Sequence, residues 1–248
     1  MTRLLSLTRA AAVTVLTSGS LSALALSPNE SIEQPAGTSL TTAPWLAGVI
    51  VEDTVVPFSY PGTLIIPGCA CDSFGDITGT VQSRVVKSVD GTFDFYWKIS
   101  VDDTSFLRVT GLTLHGIPPA AYGAGWRTDL EGDERPAIIG MGSNGGVSFT
   151  FGGTGGSYFP GYDQLREGHD SRWLLLDSQA TAYAASGTFS LTTYKFTYGL
   201  GDWYGDSGFY PMFAPAVPEP PAGVLAMLGL AGMAALSRWY GRPGRRAG

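Results

Sequence analysis

The most regular hydrophobic pattern in the chain is one strand long. Phe93, Phe95, Trp97, Ile99 and Val101 alternate with Asp94, Tyr96, Lys98, Ser100 and Asp102. A period of two places successive side chains on opposite faces of a strand, so the apolar set is expected on a core and the polar set on the outer face. Val81, Ser83 and Val85 repeat the pattern upstream. The intervening Ser88-Val89-Asp90-Gly91 carries an Asp-Gly turn suited to a hairpin between the two strands. Further strand candidates lie at residues 48–55, 107–114, 146–151, 172–176, 181–185 and 188–198, separated by Gly- and Pro-rich connections. About eight short strands without an amphipathic helix predict an all-β fold, a single antiparallel β-sandwich of jelly-roll type. The sandwich is expected over residues 45–200, after a Ser-, Thr- and Pro-rich lead-in over 26–44 that is extended or poorly ordered. A Gly- and aromatic-rich tether is expected over 201–216.

Composition narrows the class. Charged residues make up 15 % of the 248-residue chain, aromatics 12 %, and there are 34 glycines. A disordered chain would be richer in charge and poorer in aromatics, and a helical bundle would need far more Ala, Glu, Lys and Leu. The formal net charge of −6 excludes a phosphate-binding surface of the usual basic kind, so no nucleic-acid partner is expected.

The two ends read as addresses. Arg3 and Arg9 precede an uncharged stretch over residues 10–24, and Ala23-Leu24-Ala25 offers the small-x-small pattern that signal peptidase accepts. A signal peptide over residues 1–25, cleaved after Ala25, is the expectation. At the other end Val217-Pro218-Glu219-Pro220 is followed by an apolar run over residues 222–236, then by Arg238, Arg242, Arg245 and Arg246. Fifteen residues span about 22 Å as a helix, short of a hydrocarbon core of about 30 Å. Trp239 and Tyr240 can extend that run at the interface, and the arginines belong on the cytoplasmic side. A C-terminal transmembrane helix and an exported body follow. With six of the fifteen basic residues and one of the twenty-one acids in these ends, residues 26–216 hold 9 basic and 20 acidic groups, a net of −11.

This three-part tail over residues 217–248 resembles the PEP-CTERM sorting signal of exported bacterial proteins. Pro218, Glu219 and Pro220 match the motif, residues 222–236 the helix, and the four arginines the basic tail. The resemblance implies recognition by an exosortase, a transient inner-membrane anchor, cleavage near the motif and release of the body to the cell surface or matrix. Gly79-Thr80-Val81, Gly91-Thr92-Phe93-Asp94-Phe95-Tyr96, the stretch 147–151, Pro160-Gly161 and Ala180-Thr181-Ala182-Tyr183 are similar to a recurrent body of such proteins. That similarity carries no catalytic residues.

Several motifs carry chemistry elsewhere but lack their context here. Gly205-Asp206-Ser207-Gly208 matches a serine-protease nucleophile loop, yet the two histidines, His115 and His169, have no suitable setting, and Ser207 lies ten residues before Val217. Gly140-Met141-Gly142-Ser143-Asn144-Gly145 has the dinucleotide spacing but runs into a period-two strand instead of a helix, so a glycine turn is expected. Asp129, Glu131 and Asp133 begin like an EF-hand loop, but its sixth and twelfth positions are Glu134 and Gly140. A looser Ca²⁺ site from Asp129, Glu131, Asp133 and Glu134 is the weak alternative to a solvated acidic loop. Cys69 and Cys71 stand two apart, leaving a local disulfide, an intermolecular bridge or two free thiols open. Trp126, Tyr158, Tyr162, Trp203 and Tyr204 are placed in Gly-rich loops, as edge packing or sugar-stacking groups. The function expected is that of a non-enzymatic surface or matrix protein, without cofactor, held among exopolysaccharide. The alternatives are a secreted glycoside hydrolase or a carbohydrate-binding module.

Overall fold

The computed structural model describes residues 25–65, 72–152, 164–197 and 201–216, the side chains of 194–197 and 201–204 excepted. Among the described residues thirteen strands are found: β1 (Ala25–Leu26), β2 (Ser31–Glu33), β3 (Gly48–Ile65), β4 (Ser73–Ser88), β5 (Phe93–Val101), β6 (Gly111–His115), β7 (Tyr122–Trp126), β8 (Ile138–Met141), β9 (Val147–Thr150), β10 (Leu174–Asp177), β11 (Tyr183–Thr197), β12 (Gly201–Asp206) and β13 (Tyr210–Pro215). All strand pairs are antiparallel, in the order β1-β7-β10-β5-β4-β3-β12-β11-β6-β9-β8-β2, and β13 also pairs with β11. The all-β class is as expected. Among these residues no helix is long and apolar enough to cross a membrane; residues 1–24 of the expected signal peptide and the expected C-terminal helix lie outside them.

Two long strands join the two halves of this path. β3 and β4 pair over nearly their whole length, from Gly48↔Ser88 to Leu64↔Ser73. At one end β4 pairs with β5, from Lys87↔Phe93 to Gly79↔Val101, and at the other β3 pairs with β12 over residues 63–65. The chain thus forms two antiparallel layers, one continuing through β5, β10, β7 and β1, the other through β12, β11, β6, β9, β8 and β2. One buried cluster lies between them. It takes Phe95, Trp97, Ile99, Leu174 and Leu176 from the first layer and Leu112, Leu114, Phe149, Phe189 and Leu191 from the second. Phe95 and Trp97 stack with ring centroids 6.3 Å apart.

The hairpin read from Asp90-Gly91 is present. The Ser88 N–H donates to Thr92 O at 2.9 Å, Asp90 Oδ1 accepts from the Thr92 N–H, and Gly91 takes the positive φ of 91° that the turn requires. The Gly140–Gly145 stretch is likewise a turn, leading from β8 into β9, with Gly142 and Gly146 hydrogen-bonded and Gly145 at φ 86°.

Other boundaries move. The expected strands over 181–185 and 188–198 are one, β11, bulged between Ala184 and Gly187. The expected tether over 201–216 is strand: β12 and β13 follow one another along the same side of β11, so the folded body runs to Pro215. The lead-in over 26–44 is extended but not loose. β1 and β2 close the ends of the path on β7 and β8, and Leu26 is fully buried. Residues 38–47 cross the outer face of the first layer as a strap. They end in a short 3-10 turn, Pro44–Leu46, and bury Ala43 and Leu46 against Val86, Tyr96, Trp173 and Leu175.

Among the described residues β3 leaves an open edge over much of its length, and the sequence blunts it. Pro57 and Pro61 lack N–H groups, and the Tyr210 hydroxyl takes both the N–H and the carbonyl of Ser59 between them, at 3.2 and 3.1 Å.

Phe149, fully buried between the layers, and Val89, 71 % exposed in the turn, give a contrast of burial. Phe149→Ala is expected to cost about 3–5 kcal/mol in urea unfolding, and Val89→Ala to stay within about 0.5 kcal/mol.

Candidate functional site

The strap changes what β5 can carry. Alternation puts Asp94 and Tyr96 on the outer face, where the sequence expects a half-exposed surface; under the strap they are 1 % and 2 % exposed. Asp94 is therefore a buried carboxyl at the corner where the β4–β5 turn, the end of β10 and the strap meet. Its Oδ2 is hydrogen-bonded by the Ser88 hydroxyl at very short range, and its Oδ1 accepts from the Ser178 N–H at 3.3 Å. Asp177, at the end of β10, accepts from Trp45 Nε1 of the strap at 3.1 Å.

Burial raises the Asp94 carboxyl from the ordinary aspartate range to about 7, helped by the negative charges of Asp177 and Asp90 and opposed by its Ser88 and Ser178 hydrogen bonds. Burial raises Asp177 as well, with Asp90 adding to the effect. The two titrate as a pair. Two close carboxyls holding one proton are the equipment of acid–base hydrolysis. Here both Asp94 oxygens are engaged by the protein and the group is shut away from solvent, so the arrangement acts on the fold.

The neighbouring polar groups are arranged around the same face. Arg127, 4 % exposed, forks onto Asp129 through Nε and Nη2, each at 2.8 Å, and its Nη1 reaches the Tyr96 hydroxyl at 3.2 Å. That fork holds the Asp129 carboxyl below its ordinary range. Arg84 lies 4.2 Å over the Trp173 ring and pairs with Asp53 at 2.8 Å. Further along β5, Lys98 binds Asp170 at 2.9 Å, and His169 Nδ1 lies 3.6 Å from Asp133 and 3.7 Å from Glu134.

These contacts divide the four Ca²⁺ candidates. Asp129 is held by Arg127 and the Leu40 N–H, Glu131 is exposed, and Asp133 and Glu134 turn toward His169. Among the described residues no group of three or more His, Cys, Asp or Glu is placed to hold a metal ion. Ser207 is backbone-bound: its hydroxyl accepts from the Leu191 N–H at 2.7 Å and donates to Gly208 O, while His115 contacts Ser190 at 3.0 Å. Trp126 is corrected from loop to strand. It lies in β7, 8 % exposed, with Nε1 on Pro35 O at 2.9 Å, because Tyr122-Gly-Ala-Gly-Trp126 pairs with β10 in spite of its glycines. Ala25 opens β1, beside Leu26. Ala23, Cys69, Cys71, Tyr158, Tyr162, Val217, Pro218, Glu219, Pro220, Arg238, Arg242, Arg245 and Arg246 lie outside the described residues, as do the side chains of Trp203 and Tyr204.

The Asp94–Asp177 pair escaped sequence reading because the polar half of a period-two strand signals solvent. The strap that covers it comes from a segment with no periodicity of its own.

A carboxyl whose folded-state pKa is raised adds stability that is complete below its unfolded value, about 3.9, and is lost as pH rises through about 7. The urea midpoint of the wild type is therefore expected to fall between pH 5 and pH 8. Asp94→Asn, which cannot ionise, should flatten that fall. No family model matches the chain, and no curated protein or solved structure is significantly similar to it.

Proposed function

We propose that the protein is exported, carried transiently in the inner membrane, and released by an exosortase to act as a non-enzymatic surface or matrix component among exopolysaccharide. The observation that carries this reading is the succession of parts in one chain. A basic start and an apolar run end in Ala23-Leu24-Ala25; an acidic body follows; Val217-Pro218-Glu219-Pro220 then leads to a second apolar run and four arginines. A jelly-roll arrangement of the two layers belongs to the same reading.

The body supports it in two ways. Its net charge of −11 keeps it soluble and repelled by anionic polymer, so divalent cations are the route to retention. The rival readings need surface chemistry that the candidate site does not favour: its carboxyl Asp94 is 1 % exposed, and Trp126 is 8 % exposed with Nε1 on Pro35 O.

Mass spectrometry of the cell-surface form is expected to show chain ends near Ala25 and Pro218; an intact C-terminal arginine cluster on that form contradicts the sorting reading. Retention of the processed body on an acidic exopolysaccharide is expected to rise with millimolar Ca²⁺ and to fall when the cation is chelated. Equal retention with and without Ca²⁺ contradicts cation bridging.

A further inference from the structure

One end of the sandwich gathers exposed aliphatic side chains at the place where the chain leaves the body. β3 starts there with Val49, 70 % exposed, followed by Ile50 and Val51, exposed as well; Val89 of the β4–β5 turn, 71 % exposed, stands beside them. The Val89 N–H donates to Ala47 O at 2.9 Å and Val49 lies opposite Lys87, so turn and strand form one edge. Val49 and Ile50 point to opposite faces of the strand and both stay in water, so this stretch stands clear of the core. Aliphatic groups clustered in this way, unlike ones scattered singly, mark a contact surface. The nearby carboxylates are engaged within the body: Glu52 accepts from the Tyr183 hydroxyl at 3.0 Å, Asp53 pairs with Arg84, and Asp90 accepts from Thr92. Lys87 is exposed beside Val49.

The C-terminal exit lies at the same end. Pro215 pairs with Tyr183, and the Ala216 N–H donates to Ala182 O at 3.0 Å. Tyr183 reaches Glu52 of β3 through its hydroxyl and packs its ring 4.9 Å from Phe93, which lies opposite Lys87. From Pro215 only residues 216–221 precede the apolar run that starts at Ala222, a reach of about 20 Å when fully extended.

We propose that this edge is the body's membrane contact, with Val49, Ile50, Val51 and Val89 entering the interfacial region of a phospholipid bilayer while the chain is tethered through residues 222–236. The inference rests on reading that run as a transmembrane helix. So short a tether holds this end against the bilayer and makes the contact intramolecular, where a few aliphatic groups suffice. Lys87 suits the headgroup phosphates. Seating the edge keeps Pro218-Glu219-Pro220 at the membrane surface. Once the tether is cut the effective concentration is lost, and four aliphatic side chains alone do not hold the body.

The test uses the full chain in vesicles of phosphatidylethanolamine and phosphatidylglycerol, with a photoreactive benzophenone amino acid placed in turn at Ile50, at Val89 and at Phe74. Phe74 is exposed too, but lies opposite Thr63 at the far end of the β3–β4 hairpin. Lipid adducts counted by mass spectrometry are expected from Ile50 and Val89 at least tenfold above Phe74. Adding Ile50→Asp to the Val89 probe is expected to cut its yield severalfold while the urea midpoint stays in place. Should the Ile50 probe disturb the strand, the Val89 probe in the turn carries the same expectation. A chain that does not float with the vesicles overturns the transmembrane reading and the proposal together. A chain that floats but labels lipid equally from all three positions leaves the anchor standing and overturns the proposal, as do adducts to a second copy in place of lipid.

Discussion

Where the strap crosses it, the first layer is buried on both faces, and the setting of the candidate site follows from that constraint. A strand in a two-layer sandwich ordinarily gives one face to the core and one to water. Here the inner face of β5 supplies Phe95, Trp97 and Ile99 to the space between the layers, while its outer face supplies Tyr96 to a second cluster with Val86, Trp173, Leu175 and Leu46. A polar residue under such a cover must find its partners within the protein. Asp94 finds Ser88 and Ser178; Arg127 finds Asp129 and the Tyr96 hydroxyl. The strap thereby converts an outer surface into a layer whose electrostatics matter to stability.

The remaining architecture makes that double burial affordable to a short chain. The β3–β4 hairpin serves both layers, so a single turn of chain supplies strand pairs at β5 on one side and at β12 on the other. β11 does the same within the second layer, pairing with β6 on one edge and with β12 and β13 in succession on the other. The open edge that this plan leaves on β3 is interrupted by Pro57 and Pro61 and covered at Ser59 by Tyr210, which limits pairing with a second chain.

What the sequence discloses of this fold depends on how local the cause is. The β4–β5 hairpin is legible because alternation, an Asp-Gly turn and a second alternating run are all contained in some twenty residues. The turn between β8 and β9 is legible for the same reason. β7 and β12 are hidden because Tyr122-Gly-Ala-Gly-Trp126 and Gly201-Asp-Trp-Tyr-Gly-Asp206 carry glycines that mark loops elsewhere, and only pairing with β10, β3 and β11 makes them strands. The strap is hidden for a stronger reason. Its few apolar residues, Ala43, Trp45 and Leu46, follow no period, and the burial of Asp94 is a contact between segments nearly fifty residues apart. The proposed sorting signals are the reverse case, short linear patterns that are read from sequence alone and lie almost wholly outside the described residues.

The functional reading and the structural one meet at the acidic character of the body. A body at net −11 must manage its own carboxylates. It does so by pairing some with arginine or lysine, as at Asp53, Asp129 and Asp170, and by burying Asp94, which raises its carboxyl. The Asp94 carboxyl raised by its burial is the central claim, and carboxyl carbon chemical shifts followed by NMR through a pH titration observe it directly. The Asp94 carboxyl is expected to titrate near 7 in the wild type and to move downward in Asp177→Asn, where the neighbouring charge is gone. A titration in the ordinary aspartate range, unaffected by Asp177, would contradict the account.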